Sequence, residues 1–191
     1  MRYFIDAEFH ESGYGNPIEL ISLAVVCDDG REFYAVAADG WYPAMVSDWL
    51  KENVLPHLYV DTNVMNIPGG SYFPKCPRSE MAEMLTAFIK DEGANKPEIW
   101  GYYGDYDWVI FCQLFGRMID LPKHFPRICL DIKQRCIDFG NPKLPKQKGQ
   151  AHNALADARY NKTMFEFLEF RERFFSSKLV DAARASRSEG T

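Results

Sequence analysis

At 191 residues, against a prior of roughly 150 per domain, the chain reads as one globular domain with modest elaborations. An apolar fraction of 47%, with 14 Phe, 10 Tyr and 4 Trp, supplies a core and excludes an intrinsically disordered chain. With 22 basic and 27 acidic residues the formal net charge is -5, which excludes histone-like and polybasic membrane proteins but leaves room for a local basic groove.

Residues 2–9 are aromatic and branched, and predict a first strand with Asp6 near its middle. Residues 18–27 and 31–38 predict two more, joined through Asp28-Asp29-Gly30, where an Asp-Gly pair suits a tight hairpin. In residues 42–58, Ala44, Met45, Trp49 and Leu50 fall near helical spacing, with Pro43 in a first turn and Pro56 near the stop. Residues 59–78, rich in Asn, Gly and Pro, read as a long connection with a short extended piece; it is either a substrate flap or a plain excursion.

Residues 79–90 return to helical spacing, with Ser79 placed to cap them. Residues 98–103 predict a strand that turns at Gly104 into a helix containing Trp108, Val109, Cys112, Leu114 and Phe115. Residues 125–132 predict a short strand and a helical turn, and residues 141–150 are polar and broken by prolines. Residues 151–174 form the clearest long helix, through Leu155, Met164, Phe167 and Leu168. The order of elements predicts an α/β or mixed-sheet domain over residues 1–175, followed by a small polar tail over residues 176–191.

Cys27, Cys76, Cys112, Cys129 and Cys136 are odd in number and lack a CxxC pair, which favours reduced thiols over a structural zinc or redox pair. The charged amino terminus does not read as a secretory signal, and no run approaches the roughly 20 apolar residues that span a bilayer. A soluble, cytoplasmic protein is expected.

Three acidic signals carry chemistry. Asp6 and Glu8 are two apart on a strand, so both carboxylates share one face and can hold a hard divalent cation, unless they simply meet solvent at a strand end. Asp105 and Asp107 flank Tyr106 where a helix begins; either could be a metal ligand or a helix cap. Near the start of the last helix, HNALADA places Asp157 to complete the carboxylates and His152 to take a proton from water, or to be an ordinary helix-terminal histidine.

In this order, DxE at Asp6 and Glu8, GDYDWVIFCQLFG around Asp107 and HNALADA ending at Ala158 resemble the DEDDh branch of the DEDD 3'-5' exonucleases. The fuller WGYYGDYDWVIFCQLFG is similar to the compact bacterial, mycobacterial-type exoribonucleases, and lacks the HNAxFD form of proofreading relatives. The resemblance implies an RNase H-like mixed β-sheet flanked by helices. It implies two divalent cations, Mg2+ or Mn2+, held by Asp6, Glu8, Asp107 and Asp157, with His152 as general base. It further implies hydrolysis of single-stranded RNA, or an RNA 3' overhang, to nucleoside 5'-monophosphates, and a homodimer. Single-stranded DNA is the nearest alternative substrate, and a catalytically silent nucleic-acid-binding module the alternative from another class.

Lys143, Lys146 and Lys148, with Lys133 and Arg135 upstream, offer positive charge for phosphates or merely a solvated loop. Tyr102, Tyr103, Tyr106 and Trp108 could stack bases or pack the strand-to-helix junction, and Asp105 is an extra acidic neighbour.

Overall fold

Strand β1 (Arg2–Glu11) sits inside the sheet and pairs antiparallel with β2 (Ile18–Cys27), which pairs antiparallel with β3 (Glu32–Ala37). The β2–β3 turn closes where Gly30 adopts φ 88°, a left-handed conformation suited to glycine. The short β4 (Lys75–Cys76) adds parallel to β3, while β5 (Glu98–Gly101) and β6 (Cys129–Asp131) lie parallel beyond β1. The order across the six strands is β4-β3-β2-β1-β5-β6. The computed structural model describes residues 1–59, 75–90, 93, 96–148 and 151–188, with the side chains of the last helix described as far as Phe174.

Five α-helices accompany the sheet: α1 (Asp48–Asn53), α2 (Arg78–Phe88), α3 (Asp105–Gln113), α4 (Ile132–Asp138) and α5 (Ala154–Ser188). Alternation along β1 sorts them into layers. Tyr3, Ile5 and Ala7 enter a core with Met81 and Leu85 of α2 and Ile110 and Phe111 of α3. Phe4 enters a second core with Leu155, Ala158, Phe165 and Leu168 of α5. Each fully buried large apolar side chain contributes about 1.5–3 kcal/mol, so apolar burial holds both layers to the sheet. Asp6 and Glu8 have the parity of Phe4 and therefore emerge under α5, where the apolar stripe ends. This is the α/β, RNase H-like mixed sheet that the sequence predicts.

Several boundaries differ from expectation. The helix expected over residues 42–58 is only α1, followed by a 3-10 turn at Leu55–His57. Ser47 sets its start by accepting the Leu50 N–H at 3.3 Å, and Pro56 lies inside the 3-10 turn. Ser79 does not cap α2, because Pro77 stands at its N-cap and the Asp39 carboxylate accepts the Arg78 N–H at 2.9 Å. β1 runs two residues past the expected end at Phe9. α5 begins at Ala154 rather than 151, since Asn153 accepts the Ala156 N–H at 3.0 Å as its cap. The backbone of α5 continues past Phe174 to Ser188, through a stretch rich in Ala, Lys, Arg and Leu, all strong helix formers. Residues 60–74, the bulk of the flap candidate, lie outside the described residues.

Candidate active site

Asp6, Glu8 and Asp157 each offer a carboxylate oxygen, and these oxygens lie within 4.8 Å of one another. Two polar anchors on α5 set this register. The buried Asn161 donates from Nδ2 to the Ile5 carbonyl at 2.8 Å, beside Asp6, and lies one helical turn after Asp157. The buried Asn153 donates to the His57 carbonyl at 2.6 Å while capping α5, which joins the helix start to the segment after α1.

Asp107 arrives from the other side. β5 pairs with β1 only through Arg2–Phe4, so farther along that edge the Ala7 N–H lacks a strand partner. Oδ1 of Asp107 accepts it at 2.7 Å. Asp107 is therefore buried between Asp6 and Glu8 in sequence register, whereas Asp105 is exposed. Neither residue is the cap of α3; Gly104 stands at that position.

The junction that delivers α3 is tightly built. A Cβ on Gly101 would come within 2.9 Å of the Gly104 Cα, so the two glycines allow the WGYYG turn to close on itself. Asp131 pins the turn by accepting the Gly104 N–H at 3.0 Å through Oδ2, and caps α4 by accepting the Gln134 N–H at 2.7 Å through Oδ1. Tyr103 is left in the left-handed region at φ 55° and largely exposed.

Electrostatically the cluster is frustrated without cations. Burial, and then the charges of Asp107, Asp157 and Glu8, raise the Asp6 pKa well above the usual carboxylate range. Burial followed by the charges of Asp157 and Asp107 pushes Glu8 up to about 7. Burial pushes Asp107 up to about 7, against the hydrogen bonds it accepts from the N–H of Ala7 and from its own. Asp157 is raised by burial, opposed by donors from Gln147 and His152. Among the described residues, no Lys or Arg forms an ion pair with any of the four. An all-oxygen, anionic, partly buried donor set of this kind fits hard divalent cations such as Mg2+ or Mn2+.

His152 precedes α5 by two residues, in the left-handed region at φ 61° and exposed. Its backbone N–H donates to Oδ2 of Asp157 at 2.9 Å, and its ring meets the half-exposed indole of Trp49 edge to face, with centroids 4.9 Å apart. Gln147 donates from Nε2 to Oδ1 of Asp157. The structure thus places Asp157 and the His152 backbone in direct contact, as the HNALADA spacing suggested.

The sequence profile of the Rv2179c-like 3'-5' exoribonuclease domain matches residues 57–168, which take in Asp107, His152 and Asp157. Over 159 residues the chain is 38% identical to 3'-5' exoribonuclease Rv2179c of Mycobacterium tuberculosis strain H37Rv, covering 83% of this chain and 88% of the relative. The same identity and coverage hold for 3'-5' exoribonuclease MT2234.1 of Mycobacterium tuberculosis strain CDC 1551. The chain belongs to the Rv2179c-like 3'-5' exoribonuclease family.

In this Rv2179c-like chain the other candidate contacts fall into different places. Tyr106 is stacked on Phe9 with centroids 5.6 Å apart and keeps an exposed face. Trp108 is stacked on Phe111 at 5.5 Å and packs against the core, so it serves the junction. Tyr102 packs partly against the α5-side core. Lys133 donates to Oδ1 of Asn141 at 3.2 Å, with its ammonium 6.0 Å from the Tyr103 ring centre. Arg135 is committed elsewhere: its guanidinium lies 4.6 Å from the Phe165 ring centre and pairs with Glu172 at 2.6 Å, fastening α4 to α5. Lys143, Lys146 and Lys148 are exposed. Sequence reading missed Asn153, Asn161, Gln147, Asp131 and the place of Trp49. Only Asn153 had a usable signal, as a capping residue type ahead of an apolar run. No helix among the described residues is long and apolar enough to cross a membrane.

Proposed function

We propose that this chain is a metal-dependent 3'-5' exoribonuclease of the DEDDh type, removing nucleoside 5'-monophosphates from single-stranded RNA or RNA 3' overhangs. The observation that carries the reading is the convergence of Asp6, Glu8 and Asp157 within 4.8 Å, with Asp107 anchored beside them on the Ala7 N–H. The names of the two mycobacterial relatives favour RNA over DNA.

Asp6, Glu8, Asp107 and Asp157 would hold two divalent cations, Mg2+ or Mn2+, which when bound supply an acidified water and stabilise negative charge at the departing 3' oxygen. The chain's own residues do the rest. Asn161 and Asn153 keep α5 against β1, so that Asp157 stays opposite Asp6. The Ala7 N–H orients the Asp107 carboxylate. The imidazole of His152 takes the proton of the attacking water, and its exposed position beyond the helix start gives it access to a bound 3' terminus. The water's oxygen bonds to phosphorus, the bond from phosphorus to the 3' oxygen breaks, and no covalent enzyme intermediate forms.

The five cysteines are all free thiols, four of them buried, which suits a reducing, cytoplasmic setting. We assign a homodimer as the working assembly; a light-scattering mass near 22.0 kDa would refute it.

The activity is tested with single-stranded RNA labelled separately at each end, with Mg2+ or Mn2+ and with chelator. A ladder shortening from the 3' end and yielding nucleoside 5'-monophosphates supports the reading. RNA that binds yet stays intact would instead indicate a silent binding module, and preferential digestion of matched DNA an exodeoxyribonuclease.

A further inference from the structure

Residues 141–148 cross the start of α5 as an extended strap. Tyr160 of α5 fastens it, donating its hydroxyl to the Pro145 carbonyl at 2.8 Å. Two residues later Gln147 reaches Asp157 with its amide. Its neighbours Lys146 and Lys148 do something else: with Arg159, Tyr160 and Thr163 of α5 they line a cavity of about 300 Å3. Arg159 is already engaged by Glu32 through both guanidinium and carboxylate arms. Lys146 and Lys148 are exposed and, among the described residues, take part in no ion pair. In a chain of net charge -5, two unneutralised ammonium groups at a cavity mouth, one residue either side of a group touching Asp157, are placed to meet an anion.

We propose that this cavity is a second phosphate subsite, in which Lys146 and Lys148 hold an RNA phosphate upstream of the scissile one, and that Gln147 ties its occupancy to the position of Asp157. The inference rests on the exoribonuclease reading for the identity of the polyanion. The strap is short, pinned at Pro145 and bonded at Gln147, so a phosphate drawing on Lys146 and Lys148 loads the Gln147 amide directly. RNA long enough to reach the cavity would then be processed better than a dinucleotide that cannot.

Two measurements test it. In EDTA, where turnover is stopped, binding of a fluorescein-labelled single-stranded RNA of about ten nucleotides is followed by anisotropy against salt. Each lost phosphate contact on a single strand reduces the slope of log K against log salt by about 0.7, so Lys146→Ala/Lys148→Ala should be shallower by about 1.4. Lys146→Arg/Lys148→Arg should retain the wild-type slope. An unchanged slope in the alanine variant overturns the subsite, even if the wild type proves inactive on every RNA, an outcome that would defeat the exoribonuclease reading instead. The second measurement compares kcat/KM on the longer RNA with that on a dinucleotide. The ratio should fall about fivefold or more in the alanine variant, and similarly in Gln147→Ala with both lysines present. A Gln147→Ala protein that melts like the wild type and keeps the full ratio overturns the link to Asp157.

Discussion

Asn161 donates to the Ile5 carbonyl at 2.8 Å, so the helix carrying Asp157 is bonded to the strand carrying Asp6 one residue before that carboxylate. A buried amide with a single stated purpose of this kind makes registration of the two elements a matter of one hydrogen bond. Asn161→Leu leaves the Ile5 carbonyl unsatisfied in the interior, and should cost about 1–3 kcal/mol in urea denaturation. Because Asp157 then loses its registration, kcat/KM on single-stranded RNA should fall by about tenfold or more. Stability lost with activity intact would reduce Asn161 to a packing role.

Asp107 and Asp105 are separated by burial, and their variants should behave differently. Asp107→Asn keeps an oxygen able to accept the Ala7 N–H but removes the charge, so it should fold normally and lose about a thousandfold in kcat. Asp107→Ala also strands that N–H, adding about 1–3 kcal/mol of destabilisation. Asp105→Asn, at an exposed position, should stay within about threefold of wild type. Comparable losses at both positions would mean that Asp105 shares the ligand role.

The raised carboxylates make a signed prediction about pH. Glu8 titrates near 4.5 in an unfolded chain and is pushed up to about 7 here, and Asp107 rises from 3.8 to about 7. Over that window the folded protein binds more protons than the unfolded chain, so stability is fully present below the ordinary carboxylate range and is lost as pH rises to about 7. Melting temperature of the chelated protein should therefore drop across that interval, by less in Glu8→Gln, and millimolar Mg2+ or Mn2+ should recover the loss at pH 7 to 8. A chelated protein equally stable across the interval would show that the clustering is weaker than the geometry indicates.

His152 contacts Asp157 through its backbone N–H, not its ring, which separates two effects of substitution. His152→Ala retains that N–H, so Mn2+ affinity should stay within about threefold. Loss of the general base should lower kcat by about a hundredfold to ten-thousandfold. A large loss of metal affinity with modest change in kcat would relocate the role of this residue to the metal site.

How much of this could be read beforehand depends on the kind of signal. Asp6 and Glu8 were legible because strand alternation fixes a shared face whatever the partner elements, and Phe4 then shows which face that is. Asp107 was distinguishable from Asp105 by motif but not by local physics; the reason lies in the short β1–β5 pairing, which leaves the Ala7 N–H to be satisfied, and no local pattern encodes that. The start of α5 was misplaced by three residues because Asn153 was read as part of the helix rather than as its cap. Trp49 lay in a periodic apolar pattern that suggested core, yet α1 is too short to bury it and turns it to His152. Gln147 sits in a polar, proline-broken stretch with no period, and only the fastening of Tyr160 to Pro145 brings it to Asp157.

The central claim, that four carboxylates assembled from β1, α3 and α5 form a two-cation centre, is tested most directly by calorimetric titration of Mn2+ in the presence of a nucleoside 5'-monophosphate. The account predicts two ions per chain for the wild type, and loss of at least one site in Asp157→Asn with the fold retained. A wild type that binds no Mn2+ beyond the level of a Glu8→Gln/Asp157→Asn double variant would contradict it.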